Sequence, residues 1–218
     1  MIKKRATKPA LNLILLGDPG AGKATQAGLL SKKYSFFDYD MGRELTLLRE
    51  KNKAVDKAQK LTADQGILTP TKIVRALNRT VITKTPKNTG IVFDGHPKML
   101  GEAKLVAGML KKSKRPDPLV IYIKIPQNEV VTRITHRKGY FNTKFSKRSD
   151  DSIQALKNRA KYYRTNIKQV TDYFNKVYKF VYIDGVGTRQ EIHKKIDKVI
   201  KEHIKNSYLS CLLKKFQK

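Results

Sequence analysis

Acidic residues are scarce in this chain of 218 residues: 18 Asp and Glu stand against 47 Lys and Arg, a formal net charge of +29. The basic residues are spread along the chain, which excludes a single basic tail as the source of the charge. Such an excess attracts polyanions, and nucleotides, nucleic acid or an acidic surface would all answer to it, as would a generally Lys-rich composition. The one cysteine, Cys211, excludes an internal disulfide, and no Cys/His cluster has the spacing of a structural zinc site. Long apolar runs are also lacking. The longest, Leu13 to Leu16 and Leu119 to Ile123, fall far short of the ~20 residues that cross a bilayer. Met1 to Arg5 has the charge of a leader, but Lys8, Pro9 and Asn12 break the apolar stretch that should follow, so the expected location is cytoplasmic. What remains, 39% hydrophobic and 30% charged residues, is a foldable mixture at the length of a single domain.

Along the chain, short apolar runs alternate with segments of helical period. Asn12 to Leu16 ends in glycine and reads as a buried strand, with a helix from Lys23 to Lys33 and a return segment from Tyr34 to Asp40. Met41 to Glu50 and Ala54 to Gln65 read as helices, and Thr69-Pro70 opens another that reaches about Lys84. Further strands are expected at Gly90 to Phe93, Leu119 to Ile125 and Val177 to Ile183. Helices are expected through Ala103 and Leu110, from Asn128 to Arg137, and from Asp150 or Asp151 to about Phe174. Thr188 and Glu191 have the spacing of a capping box for a final helix. This alternation specifies an α/β fold, a parallel sheet with helices on both faces and ligands at the carboxyl ends of the strands.

Gly17-Asp18-Pro19-Gly20-Ala21-Gly22-Lys23-Ala24-Thr25 carries the Gly-x-x-x-x-Gly-Lys spacing between a strand and a helix. In that setting small residues let backbone N–H groups converge on phosphate oxygens, and Lys23 reaches the terminal phosphates. Ala24 stands where most such loops place the hydroxyl that ligates Mg²⁺. In this the loop resembles that of the adenylate kinase branch of nucleoside monophosphate kinases, with Ala24 in place of Gly. Asp94-Gly95-His96-Pro97-Lys98 is similar to the family's Asp-Gly-Phe-Pro-Arg, Arg133, Arg137, Arg148 and Arg159 to its arginines around the lid, Asp150-Asp151 to its acidic pair, and Asp184-Gly185 with Gly187 to its adenine loop.

The resemblance implies a P-loop kinase with a parallel five-stranded sheet: a core of 11–39, 70–137 and 151–203, a helical acceptor-binding insertion at 40–69, a short lid at 138–150 and a basic extension at 204–218. It implies ATP, Mg²⁺ held through water by Asp94, no zinc, a monomeric state, and transfer of the γ-phosphoryl group to AMP. Among the catalytic residues, Lys23 would hold the donor's phosphates, and Lys98, Arg133, Arg137, Arg148 and Arg159 would form a clamp across both substrates. The phosphate loop, Arg133, Arg137 and Gly187 would hold ATP. Met41, Arg43, Thr46, Arg49, Ile67, Thr69, Gly95, Lys98, Glu102, Arg148 and Arg159 would line the acceptor pocket.

The acceptor side departs most from the family. Met41 replaces its hydroxyl residue and Thr46 its phosphate-gripping arginine, with Arg43 and Arg49 as substitutes on the same helix face. Lys98 keeps the charge of the family's arginine without its fork. Glu102 falls where a base-reading Gln is expected; an ionised carboxylate only accepts hydrogen bonds, so it suits an amino group, or the paired N–H donors of guanine. A surface position on its helix is the competing account of Glu102. AMP is the favoured acceptor, with GMP, CMP and UMP as rivals. A weakened P-loop protein that binds nucleic acid through its charge is the alternative from another class. Tyr140, Phe141 and Phe145 are read as lid packing, and 204–218 as a helix packed on its own domain rather than on a membrane or partner.

Overall fold

The structure, a computed structural model, describes residues 11–62, 71–135 and 153–216. Its five strands are β1 (Leu13–Gly17), β2 (Phe37–Asp40), β3 (Ile91–Asp94), β4 (Leu119–Lys124) and β5 (Phe180–Asp184). All pair in parallel, in the order β2-β3-β1-β4-β5. The helices are α1 (Lys23–Tyr34), α2 (Met41–Lys51), α3 (Lys53–Leu61), α4 (Thr71–Lys84), α5 (Leu100–Lys112), α6 (Gln127–Thr135), α7 (Ile153–Val177) and α8 (Arg189–Phe216).

A sheet covered on both faces needs strands that are apolar on both sides, and β1 and β4 are unbroken apolar runs for that reason. Their alternate residues feed two separate cores. Leu13, Leu15, Ile121 and Ile123 meet Ala27 and Leu30 of α1 and the Ile192, Ile196, Ile200 stripe of α8. Ile14, Leu16, Val120 and Tyr122 meet Val74 and Ile82 of α4, Val106 and Leu110 of α5, and Val170 and Phe174 of α7.

Several boundaries differ from those expected of the sequence. Tyr34 is the last residue of α1, not the start of a strand; Ser35 takes a left-handed conformation at φ 57° and its N–H closes on the Ser31 carbonyl. Val177 ends α7, so β5 begins only at Phe180. There the packing of Val170 and Phe174 on the second core carries the helix past a segment rich in strand formers. The capping box of α8 is present: the Thr188 N–H donates to Glu191 Oε2 at 2.7 Å and the Glu191 N–H to Thr188 Oγ1 at 3.3 Å. Along α8, Ile204 still packs against the first core, whereas Tyr208 and Leu209 are exposed. Among the described side chains of the extension, packing on the domain holds at Ile204 and is lost by Tyr208.

At the end of the sheet where β3 and β4 begin, Arg115 is buried among main-chain carbonyls. Its Nε donates to Ile82 and its Nη1 to Thr89, both at 3.0 Å, while Nη2 serves Thr85 and Pro86. These are the carbonyls that the end of α4 leaves without helical partners and those of the loop into β3.

β1 lies between β3 and β4, so the chain leaves it in one direction and returns on its other side. The crevice that such a reversal opens at the carboxyl ends of the strands is where ligands bind in open α/β sheets. Three of the five strands, β2, β3 and β5, end there in aspartate.

Candidate functional site

The loop from Gly17 to Gly22 joins β1 to α1 within that crevice. Gly17 runs so close to β4 that a Cβ would lie 2.5 Å from the Ile123 carbonyl oxygen. Gly22 caps α1 at φ 82°, a left-handed value that suits glycine, and no side chain satisfies the helix's first N–H groups. Those groups and the positive end of the helix face the loop, an arrangement that receives an anion. Asp18 would oppose this, but its carboxylate is turned to β4: it accepts from Tyr122 Oη at 2.7 Å and from the Ile125 N–H at 2.9 Å. Lys23 Nζ donates to the carbonyls of Gly17 and Asp18 at 2.7 and 2.9 Å and stands 5.9 Å over the Tyr163 ring. Tyr163 Oη donates to the same Gly17 carbonyl at 2.8 Å. Pro19, Gly20, Ala21, Ala24 and Thr25 complete the expected loop and first turn, and Ala21 is buried.

Asp94, at the end of β3, is the register partner of Asp40 on β2 and of Leu15 on β1. Burial, together with the Asp40 carboxylate, pushes Asp94 up to about 7; Lys23 acts in the opposite sense, Asp38 adds to the rise and Lys98 counters it. The four charged neighbours place Asp94 at the mouth of the phosphate loop. Asp40 Oδ1 caps α2 by accepting from the N–H groups of Gly42 and Arg43. Two neighbouring carboxylates suit Mg²⁺, a hard cation that keeps several waters. Among the described residues no group of three His, Cys, Asp or Glu is placed to hold a metal.

After Asp94 the chain turns sharply. Gly95, at φ 60°, packs where a Cβ would come 3.3 Å from Lys23 Cε. His96 is buried, its Nε2 3.0 Å from Asn78 Nδ2 of α4 and its ring edge-on to Tyr39. Burial and the nearby Lys98 charge push its pKa down to about 3, so the imidazole is neutral. Glu102 is buried as well, which overturns the surface position offered as one account of it. Its Oε2 accepts the Lys98 N–H at 2.9 Å and lies 3.6 Å from His96 Nδ1. Burial raises the Glu102 pKa, and hydrogen bonds from the Lys98 and Met99 N–H groups resist the rise. Lys98 itself is exposed.

On the acceptor side Met41 is buried in the second core, and Thr46 Oγ1 donates to the Gly42 carbonyl within α2. Arg43, named as a substitute guanidinium, pairs with Asp38 at 3.3 Å, and Arg49 pairs with Asp56. Burial raises the Asp38 pKa, and its Oδ1 is buried without a hydrogen-bond partner. On the donor side Arg133 donates to the Gly185 carbonyl at 3.2 Å and pairs with Glu129. Gly185 and Gly187 are both in close contact: a Cβ on Gly185 would meet the Ile123 and Ile125 side chains, and one on Gly187 would meet Glu191. Thus Lys23, Asp94, Gly95 and Lys98 converge, and Arg133 joins the loop of Gly187.

Ile67, Thr69, Arg137, Arg148 and the acidic pair at 150–151, together with the lid aromatics, lie outside the described residues, and so does the side chain of Arg159. Sequence reasoning missed Asp40, Tyr122, Tyr163 and Asn78. Asp40 carried a signal, an aspartate immediately before a helix. Tyr163 also carried one, its position four residues after Arg159.

Comparison with known proteins bears on the whole constellation. A family model described as adenylate kinase matches residues 15–179. The adenylate kinase of Syntrophobacter fumaroxidans is 30% identical over 212 residues, covering 87% of this chain and 100% of its own. The adenylate kinases of Archaeoglobus fulgidus and Azobacteroides pseudotrichonymphae are each 28% identical, covering 88% and 85% of this chain and 99% and 95% of theirs.

Proposed function

The chain belongs to the adenylate kinase family, and from that premise we propose that it transfers the γ-phosphoryl group of Mg·ATP to AMP, reversibly giving two ADP. The observation that carries the reading is the convergence of Lys23 and Asp94 at an uncapped helix N-terminus in the sheet's crevice. Phosphoryl transfer asks little covalent chemistry of the protein. It asks for two polyanions to be held in line, and for fixed positive charge where negative charge spreads in the transition state.

In this reading the N–H groups of the loop and of the first turn of α1 bind the donor's phosphates. Lys23 leaves the carbonyls of Gly17 and Asp18, to which it is hydrogen-bonded at 2.7 and 2.9 Å, and exchanges them for phosphate oxygens. Asp94, beside Asp40, would hold Mg²⁺ through water, and the ion would supply positive charge against that of the phosphates. Arg133 and the loop from Asp184 to Gly187 border the adenine of ATP, and Arg137 joins the grip on the donor. Lys98, Arg148 and Arg159 clamp the transferring group and the acceptor's phosphate. Residues 40–69 form the acceptor-binding insertion, with Arg43 or Arg49 in place of the missing guanidinium. Residues 138–150 form the lid, whose closure excludes water and suppresses hydrolysis. The reading includes a monomer in the cytoplasm; no described helix is long and apolar enough to cross a membrane.

The test is ADP formation from ATP with each of AMP, GMP, CMP and UMP in the presence of Mg²⁺, with Lys23→Ala as the blank. The expected result is turnover with AMP that the variant loses. Turnover with another monophosphate alone would change the acceptor, and none with any would overturn the reading.

A further inference from the structure

Glu102 stands where the resemblance expects a residue that reads the acceptor's base, yet its environment is that of a buried anchor. It sits in the first turn of α5, is 6% exposed, and accepts the Lys98 N–H at 2.9 Å through Oε2. The Met99 N–H is a second donor to it. A carboxylate in a helix's first turn that reaches back to preceding N–H groups fixes the angle at which the chain enters the helix. Here the chain so fixed is Pro97 to Met99, and the side chain that leaves it into solvent is Lys98.

His96 borders Glu102 on its other side. His96 Nδ1 lies 3.6 Å from the same Oε2, and Asn78 Nδ2, which also donates to the Val74 carbonyl at 2.9 Å, lies 3.0 Å from His96 Nε2. Asn78 Oδ1 lies 3.1 Å from the same nitrogen, so Asn78 fixes the position of the ring with either imidazole tautomer. To reach a base, Glu102 would have to leave the N–H groups of Lys98 and Met99. Buried polar groups are costly to leave without partners, and this exchange would strip several at once.

We propose that Glu102 is a positioning residue for Lys98, setting the lysine that grips the acceptor's phosphate, and that the choice of acceptor base is made elsewhere. This rests on the reading of the site as one that binds a nucleoside monophosphate. Because every monophosphate offers the same phosphate to Lys98, the role predicts equal effects on all acceptors.

The experiment compares wild type, Glu102→Gln, Glu102→Ala, Lys98→Ala and the double variant Lys98→Ala/Glu102→Ala. It measures kcat/KM for AMP, GMP and CMP, and Kd for the same nucleotides by calorimetry. Glu102→Gln keeps an oxygen for the Lys98 N–H and supplies the amide a base reader would use, so the ratios among acceptors should stay within about twofold. Glu102→Ala should lower every acceptor by one common factor of about tenfold or more. On the Lys98→Ala background the same change should have under about twofold effect, a coupling that loss of fold stability would not produce. A shift of the acceptor ratios in Glu102→Gln beyond about fivefold overturns the proposal, as does an undiminished effect of Glu102→Ala when Lys98 is absent. If Glu102→Ala does not fold, the Glu102→Gln ratios decide alone. Wild type that binds monophosphates without turnover refutes the kinase reading while the Kd ratios still judge Glu102; wild type that binds none overturns both.

Discussion

Replacing Arg115 with methionine should destabilise the protein and leave its site intact. Arg115 is 5% exposed, and its guanidinium serves four carbonyls. Methionine fills much of the same volume and donates nothing. Two of the four hydrogen bonds, to Ile82 and Thr85, are buried, whereas those to Thr89 and Pro86 are reached by solvent. Water can replace the second pair. The first pair leaves two carbonyls unsatisfied at about 2 kcal/mol each, roughly 4 kcal/mol in all. Burial disfavours the charged form of Arg115, and relief of that penalty offsets part of the loss. The net loss of about 3 kcal/mol is a large share of the ~5–15 kcal/mol that holds a typical domain, and for this size lowers Tm by roughly 10 °C. Urea unfolding followed by circular dichroism gives the number. Arg115 lies at the end of the sheet opposite the phosphate loop, so the Kd for ATP of the folded variant should equal that of wild type. A loss under about 1 kcal/mol with an unchanged m-value would refute the reasoning, because the carbonyls would then have found other partners.

Four further outcomes are expected. Asp94 is raised to about 7 with Asp40 as a cause, so the free enzyme's kcat/KM should climb with pH through neutrality as that carboxylate ionises; Asp40→Asn, which still caps α2, should move this limb to lower pH, and an unmoved limb would refute the coupling. The same shift bears on stability: between the unfolded value near 4 and about 7 the folded state holds the proton more tightly, so this group's contribution falls as pH rises, and the fall should be smaller in Asp40→Asn when unfolding is followed across that window. Gly17→Ala forces a Cβ to 2.5 Å from the Ile123 carbonyl oxygen; the strand ends must part at about 1–3 kcal/mol, and titration with ATP should show at least tenfold weaker binding. Thr188→Ala removes the hydroxyl that accepts the Glu191 N–H at 3.3 Å and should lower thermal stability by about 1 kcal/mol, with turnover unaffected.

Where the fold followed from the sequence, the reason is periodicity. β1 and β4 are continuous apolar runs bounded by turn residues, the pattern of buried strands, and the α8 stripe recurs every fourth residue, the pattern of a helix with one apolar face. The ends of elements were less legible. Tyr34 and Val177 favour strands locally, yet the packing of Tyr34 itself and of Val170 and Phe174 before Val177 keeps both in helices, and packing is a long-range property that no window of sequence contains. The site divides in the same way. The loop from Gly17 to Lys23 is local in sequence and could be read directly. The partnership of Asp94 with Asp40 is a matter of strand register, and the contact of Tyr163 with Gly17 spans 146 residues. The burial of Glu102 was hidden too: a glutamate in a first turn looks like a surface residue until the buried His96 beside it is placed.

The carbonyl knot at Arg115 also gives α4 a fulcrum. The helix has 14 residues and a length of about 20 Å, and it is fastened at its Lys84 end through Arg115. A turn of the helix about that point by roughly 10° would swing the Thr71 end by some 3 Å while scarcely moving the knot. Asn78 lies midway along this lever and grasps His96, so such a swing would be transmitted at half its stroke to the turn that carries Lys98. Movement on the acceptor flank and the set of the phosphate-gripping lysine are thereby joined in one linkage.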